Sequence, residues 1–205
     1  MGLELPEPDP NLVAAIIYHP EDDIDTLLAQ LADELLRSGT PVGGIVQHNS
    51  KDDAGKLRGM TVIDLMTGLR IGISQTLGSG SGACKLDSAG LAEASRAVLQ
   101  AVASDAELII VNKFSKQEAA GRGLRDEIAA VIQSGKPLLT AVPASCYDAW
   151  RQFTGDYGTL LYCDRAVIDE WWREVSTRQA ARAVRALEIA AAELSAQTTD
   201  SGRPS

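Results

Sequence analysis

The run ELIIV at residues 107–111 limits the fold more than any other stretch of this chain. Its apolar residues are continuous, β-branched for the most part and too few for an ordinary helix, as expected of a strand buried on both faces of a parallel sheet. Further short apolar runs stand at LVAAIIY (12–18), VGGIVQ (42–47), PLLTAV (137–142) and TLLYC (159–163). Segments of helical period lie between them. Ile24, Leu27, Leu28, Leu31 and Leu35 mark one helix face, Leu91, Val98, Leu99 and Val102 a second, and Leu124, Ile128, Val131 and Ile132 a third. Ile168, Trp171, Trp172, Val175, Val184, Leu187, Ala191 and Leu194 form the apolar stripe of a long last helix. This alternation predicts an α/β fold of three layers, a mainly parallel sheet with helices on both faces. Residues 60–74, MTVIDLMTGLRIGIS, depart from it: two apolar runs around Thr67-Gly68 predict an inserted β-hairpin. Gly39 should end the first helix, and Asp87 or Ser88 should cap the second.

A chain of 205 residues, 45% hydrophobic, is long enough for one substantial core. The expected organisation is an N-terminal arm over 1–11, a single α/β domain over 12–196 and a disordered tail over 197–205. No apolar run is long enough to insert in a membrane, and the acidic, proline-rich start has no signal-peptide pattern, so a cytoplasmic location is expected. Cys84, Cys146 and Cys163 form no C-x-x-C pair and read as reduced thiols. The net charge of −9 opposes nucleic acid and anionic membrane surfaces, so any anion has to be held by local cations.

Ligands of open parallel sheets bind beyond the carboxyl ends of the strands. After the first strand stands YHPEDDIDT (18–26), where a P-loop would carry G-x-x-x-x-G-K-[ST]; only Thr26 satisfies that pattern. Glu21, Asp22, Asp23 and Asp25 place carboxylates at a helix N-terminus, where they complement the dipole as a phosphate would. This reads as an acidic first turn that stabilises its helix and gives no metal site; the alternative assigns Asp22, Asp23 and Asp25 to a divalent cation. After ELIIV, at the usual place of a magnesium-holding aspartate, stand Asn112 and Lys113. A lysine there can meet an anion but cannot hold a cation.

Ser115 and Glu118 make a capping box, yet Gly121 and Gly123 follow within a turn, so a helix break is predicted at Gly-Arg-Gly. A fresh helix N-terminus beside Arg122 and Arg125 would suit an oxyanion; close packing at glycine with solvated arginines is the alternative. The segment LGSGSGACKLD (77–87) offers backbone amides at Gly78, Gly80 and Gly82, hydroxyls at Ser79 and Ser81, and a charge at Lys85 beside Cys84. It is either a flexible connection or one wall of an anion site opposite Asn112, Lys113, Arg122, Gly123 and Arg125.

The stretches GGIVQ (43–47), IDLMTG (63–68), GACKLD (82–87) and, above all, IIVNKFSKQEAAGRGLRDEI (109–128) resemble a bacterial family of nucleoside-triphosphatase-like proteins catalogued as a domain of unknown function. The resemblance covers most of 12–172. It implies a P-loop-NTPase-like topology, a phosphate loop and an acidic pair that this chain lacks, and, from the family's frequent association with molybdate transport, a molybdate-like oxyanion or a nucleotide as ligand. The resulting expectation is a binding or regulatory protein for a small anion with a degenerate NTPase site, with standard Walker-type hydrolysis disfavoured. The alternatives are a nucleotide phosphohydrolase or transferase with a nonstandard metal site, and an interaction protein that pairs with a protein partner or forms a homo-oligomer.

Overall fold

The computed structural model describes residues 10–51, 57–75 and 85–200. β1 (Val13–Tyr18) leads into α1 (Ile24–Arg37), and β2 (Val42–Lys51) is followed by β3 (Leu57–Asp64) and β4 (Arg70–Gly72). A two-stranded ribbon, β5 (Ser74–Gln75) with β6 (Lys85–Leu86), precedes α2 (Ser88–Ala103). Then come β7 (Leu108–Val111), the single turn α3 (Lys116–Ala119), α4 (Arg125–Ser134), β8 (Leu138–Pro143), α5 (Tyr147–Thr154), β9 (Thr159–Tyr162) and α6 (Arg165–Asp200).

The main sheet has the order β4-β3-β2-β7-β8-β1-β9. Its five strands β9-β1-β8-β7-β2 are parallel, and β3 and β4 add an antiparallel hairpin at one edge. This is the predicted three-layer, P-loop-NTPase-like topology with an inserted hairpin. All four residues of β7 are buried, because β2 and β8 flank them and helices cover both faces. Successive residues alternate between two cores, as the pleat demands. Ile109 and Val111 pack with Val98, Ile128 and Trp150 under α2, α4 and α5, while Leu108 and Ile110 pack with Leu28, Leu31 and Trp171 under α1 and α6.

The hairpin turn is held by Asp64, whose carboxylate accepts from Met66 N (3.0 Å) and Thr67 Oγ1 (2.5 Å). Asp87 caps α2 by accepting from Ala89 N at 3.2 Å. Two boundaries differ from the sequence reading. Residues His48–Lys51, beyond the apolar run that marks this strand in the sequence, continue β2 because they pair with Leu57–Thr61 of β3. The last helix continues to Asp200, four residues into the tail that read as unstructured. Among the described residues, no helix is long and apolar enough to cross a membrane.

Candidate functional site

The carboxyl ends of β1 and β7 bring together two segments that are far apart in sequence. The turn after β1 is shaped by its own carboxylates: Asp22 Oδ2 accepts from His19 N at 2.7 Å, and Asp23 caps α1 by accepting from Thr26 N at 3.3 Å. Asp25, in the first turn of α1, reaches across to β7. Its Oδ1 lies 2.9 Å from Lys113 Nζ and accepts from Asn112 Nδ2, also at 2.9 Å. The Lys113 and Asp25 side chains are each only 17% exposed, and the ammonium lies 5.3 Å from the centre of the Tyr18 ring.

Aligning Thr26 with the last position of G-x-x-x-x-G-K-[ST] puts Asp25 at the place of the lysine. Lys113 in turn stands after β7, at the usual place of a magnesium-holding aspartate. Relative to that pattern the acidic and basic residues are exchanged, and Asp25 and Lys113 neutralise each other. Asn112 is 3% exposed, and its Oδ1 has no hydrogen-bond partner among the described residues. Rotating the amide would set that oxygen against the Asp25 carboxylate, so the ion pair fixes its orientation.

Burial raises the Tyr18 hydroxyl above the ordinary tyrosine value, against the opposing influence of the Lys113 ammonium. The fold therefore favours the neutral phenol. This contribution is intact below about pH 10 and is lost as pH rises from there through the higher folded-state value. In an alkaline absorbance titration, subtraction of Tyr18→Phe from wild type should show Tyr18 ionising above the ordinary tyrosine value; a component at or below about pH 10 would contradict burial as the dominant influence.

The predicted break at Gly-Arg-Gly is present. Gly121 and Gly123 have φ of +77° and +64°, and they separate α3 from α4. The anion at this break is supplied by the chain itself. Glu118, 6% exposed, accepts from Ser115 N through Oε2 (2.9 Å) and from Leu124 N through Oε1 (3.0 Å). A Cβ on Gly123 would lie 2.1 Å from Glu118 Oε1, so the glycine is required both by its φ and by this contact. Arg125 donates from Nη1 to the Glu118 carbonyl at 3.1 Å and lies 4.3 Å from the Phe153 ring centre, whereas Arg122 is exposed.

A cavity of about 260 Å³ opens between β2, α2 and the segment after β7. Asn112, Lys113 and Gly123 share its wall with Gln47, Ser115 and Lys116; Arg122 and Arg125 are not on it. Gly78, Ser79, Gly80, Ser81, Gly82 and Cys84 lie outside the described residues, and Lys85 is described only as part of β6. Among the described residues, no three His, Cys, Asp or Glu side chains gather as a metal site.

The sequence reading did not foresee the partnership of Asp25 with Lys113, or Glu118 as the occupant of the helix break. A signal for the first was available: Asp25 directly precedes Thr26, at the P-loop lysine's spacing.

The family model described as protein of unknown function, DUF2478, matches residues 13–171. The chain belongs to the DUF2478 family. This DUF2478 chain is 60% identical over 178 residues to the molybdenum import ATP-binding protein ModC 2 of Bradyrhizobium diazoefficiens, a match covering 87% of the chain and 20% of that relative. The chain therefore spans about a fifth of the length of that protein. It is also 30% identical over 129 residues to the nucleoside-triphosphatase THEP1 of Pyrococcus abyssi, covering 62% of this chain and 71% of the relative. The likeness to the nucleoside-triphosphatase agrees with an NTPase-like fold.

Proposed function

We propose that this protein is a binding or regulatory domain for a small anion, whether phosphate, a nucleotide phosphate or a molybdate-like oxyanion, with a degenerate NTPase site. The observation that carries this reading is the exchanged pair: Asp25 fills the lysine's place and is neutralised by Lys113 at 2.9 Å. A magnesium triphosphate arriving at α1 would meet Asp22, Asp23 and Asp25 in place of a lysine and a row of free amides, an arrangement unsuited to standard hydrolysis. The anion would instead use Lys113 and Lys116 beside Ser115 and Gly123. Gly78–Gly82, Cys84 and Lys85 would contribute a second wall. The name of the Bradyrhizobium relative favours an oxyanion of molybdenum or a nucleotide over other anions.

Calorimetry with molybdate, tungstate, sulfate, phosphate, ATP and GTP tests this. At least one is expected to bind more tightly than about millimolar, about −4 kcal/mol, and to weaken roughly tenfold or more with Lys116→Ala. Absence of binding by all six would end the anion-site reading. The likeness to a nucleoside-triphosphatase favours a second reading, a nucleotide phosphohydrolase or transferase. Magnesium-dependent release of phosphate from ATP or GTP that disappears in Asp22→Ala would establish it in place of the first.

A further inference from the structure

Two donors converge on one oxygen just beyond β7. Lys113 Nζ lies 2.9 Å from Asp25 Oδ1, and Asn112 Nδ2 donates to the same atom at 2.9 Å. An ammonium and an amide N–H aimed at one anionic oxygen are the contacts that a bound oxyanion receives. Here the oxygen belongs to the chain itself, on the first turn of α1.

The pair stands at the boundary of two cavities. Lys113, with Asn112, Ser115 and Lys116, lines the cavity of about 260 Å³ between β2 and α2, whereas Asp25 lines a cleft of about 740 Å³ beside α1. Gln47 of β2 lines both. An anion entering the smaller cavity therefore finds the Lys113 ammonium in its wall, already engaged by a carboxylate that borders the larger one. Lys116 is exposed, while the Lys113 side chain is only 17% exposed, so the Lys113 charge is the less hydrated and the stronger contact once released. Glu118 borders the same cavity, with its carboxylate held by Ser115 N and Leu124 N, so a second anion there needs both lysines.

We propose that Asp25 is a built-in competitor for the anion at Lys113: the chain's own carboxylate occupies the ammonium in the unliganded protein, and an external oxyanion binds by taking Lys113 over from it. This rests on the anion reading of the cavity and adds a threshold to it. The carboxylate is tethered, so it competes at a constant strength, and the apparent affinity falls by the fraction of molecules in which Lys113 is released. If that fraction is about a tenth or less, the dissociation constant is raised at least about tenfold. Asp25, once displaced, remains on the wall of the larger cleft, where water can solvate it. The domain thus answers to an abundant oxyanion and ignores a scarce one.

Calorimetry on the full chain tests this, with molybdate, tungstate, sulfate, phosphate, ATP and GTP titrated separately into wild type and Asp25→Asn. The substitution keeps an acceptor for Asn112 Nδ2 and removes the charge that holds Lys113. An anion that binds wild type is expected to bind Asp25→Asn at least about tenfold more tightly. Asp23→Asn removes a charge from the same turn and keeps a good helix cap, and it should change the affinity less than about threefold. A gain there as large as that of Asp25→Asn would reduce the effect to general repulsion and overturn the proposal. In a Lys113→Ala background the gain from Asp25→Asn should vanish, because it runs through that ammonium. Melting curves give a second readout: the same anion should raise the melting temperature of Asp25→Asn more than that of wild type. Circular dichroism shows that each variant is folded, and Asp25→Ala, which also frees Lys113, should give the same gain in affinity. If wild type binds an anion and neither Asp25 variant binds it more tightly, the competitor fails while the anion reading stands. If none of these proteins binds any of the six, the anion reading fails and takes the competitor with it. Binding by the Asp25 variants alone would support a competitor strong enough to close the site.

Discussion

Lys113→Ala is expected to lower the stability of this protein by about 3 kcal/mol, measured as a shift of the urea midpoint at unchanged slope. The ammonium it removes is one half of an ion pair whose side chains are each 17% exposed. Without it, the Asp25 carboxylate stays in a mostly dry position without its cation, and deletion of one partner is far costlier there than at the surface, where the same change is worth about 0–1 kcal/mol. The double substitution Asp25→Leu with Lys113→Met should recover most of the loss, since replacing both charges by apolar groups of similar size leaves neither stranded. The reversal Asp25→Lys with Lys113→Asp should come closer to wild type than either of its single components, because it keeps the attraction and returns each charge to its place in a phosphate-binding loop. A single Lys113→Ala change below about 0.5 kcal/mol would show the pair to be solvated and incidental.

The second large effect belongs to Glu118. Glu118→Ala removes the acceptor for Ser115 N and Leu124 N, the latter in a residue only 6% exposed. Each donor left unpaired away from water costs about 1–3 kcal/mol, so a loss of about 3 kcal/mol is expected in urea denaturation. Glu118→Gln keeps one acceptor oxygen and should lose about half as much. Equal effects of the two substitutions would show that the carboxylate does not bridge the turn. The consequence extends to function: α3 and α4 flank the wall that carries Ser115 and Lys116, and relaxation of their junction would alter the cavity without touching the ion pair.

The sheet was legible because its strands are written as short apolar runs with turn chemistry between them. LIIV at 108–111 could be little else, and Asp64, Gly68 and Asp87 each mark a boundary by a local hydrogen bond or a positive φ. The end of β2 was not legible, because His48–Lys51 is polar on both sides and is held by pairing with a strand that cannot be inferred from its composition. At the site, Asn112 and Lys113 stood out by breaking the pattern after a buried strand. Asp25 belongs by composition to an acidic helix start, and although its place before Thr26 marks it, the 88 residues between it and Lys113 leave the partner itself unmarked. Glu118 reads as a capping residue from its spacing to Ser115, and that bond is present at Ser115 N. Its other bond, to Leu124 N, required the chain to turn back at Gly123, a geometry that only the folded backbone supplies.

The cap that Asp23 places on Thr26 N has a consequence for how this domain responds to its surroundings. Where a phosphate completes the first turn of a helix, ligand and fold stabilise each other, and the melting temperature follows the concentration of the ligand. Here the completing group is part of the chain and is present at one fixed effective concentration. The helix after β1 is therefore finished whether nucleotide or oxyanion is scarce or abundant. Any rise in melting temperature on addition of an anion would then report contacts other than this cap.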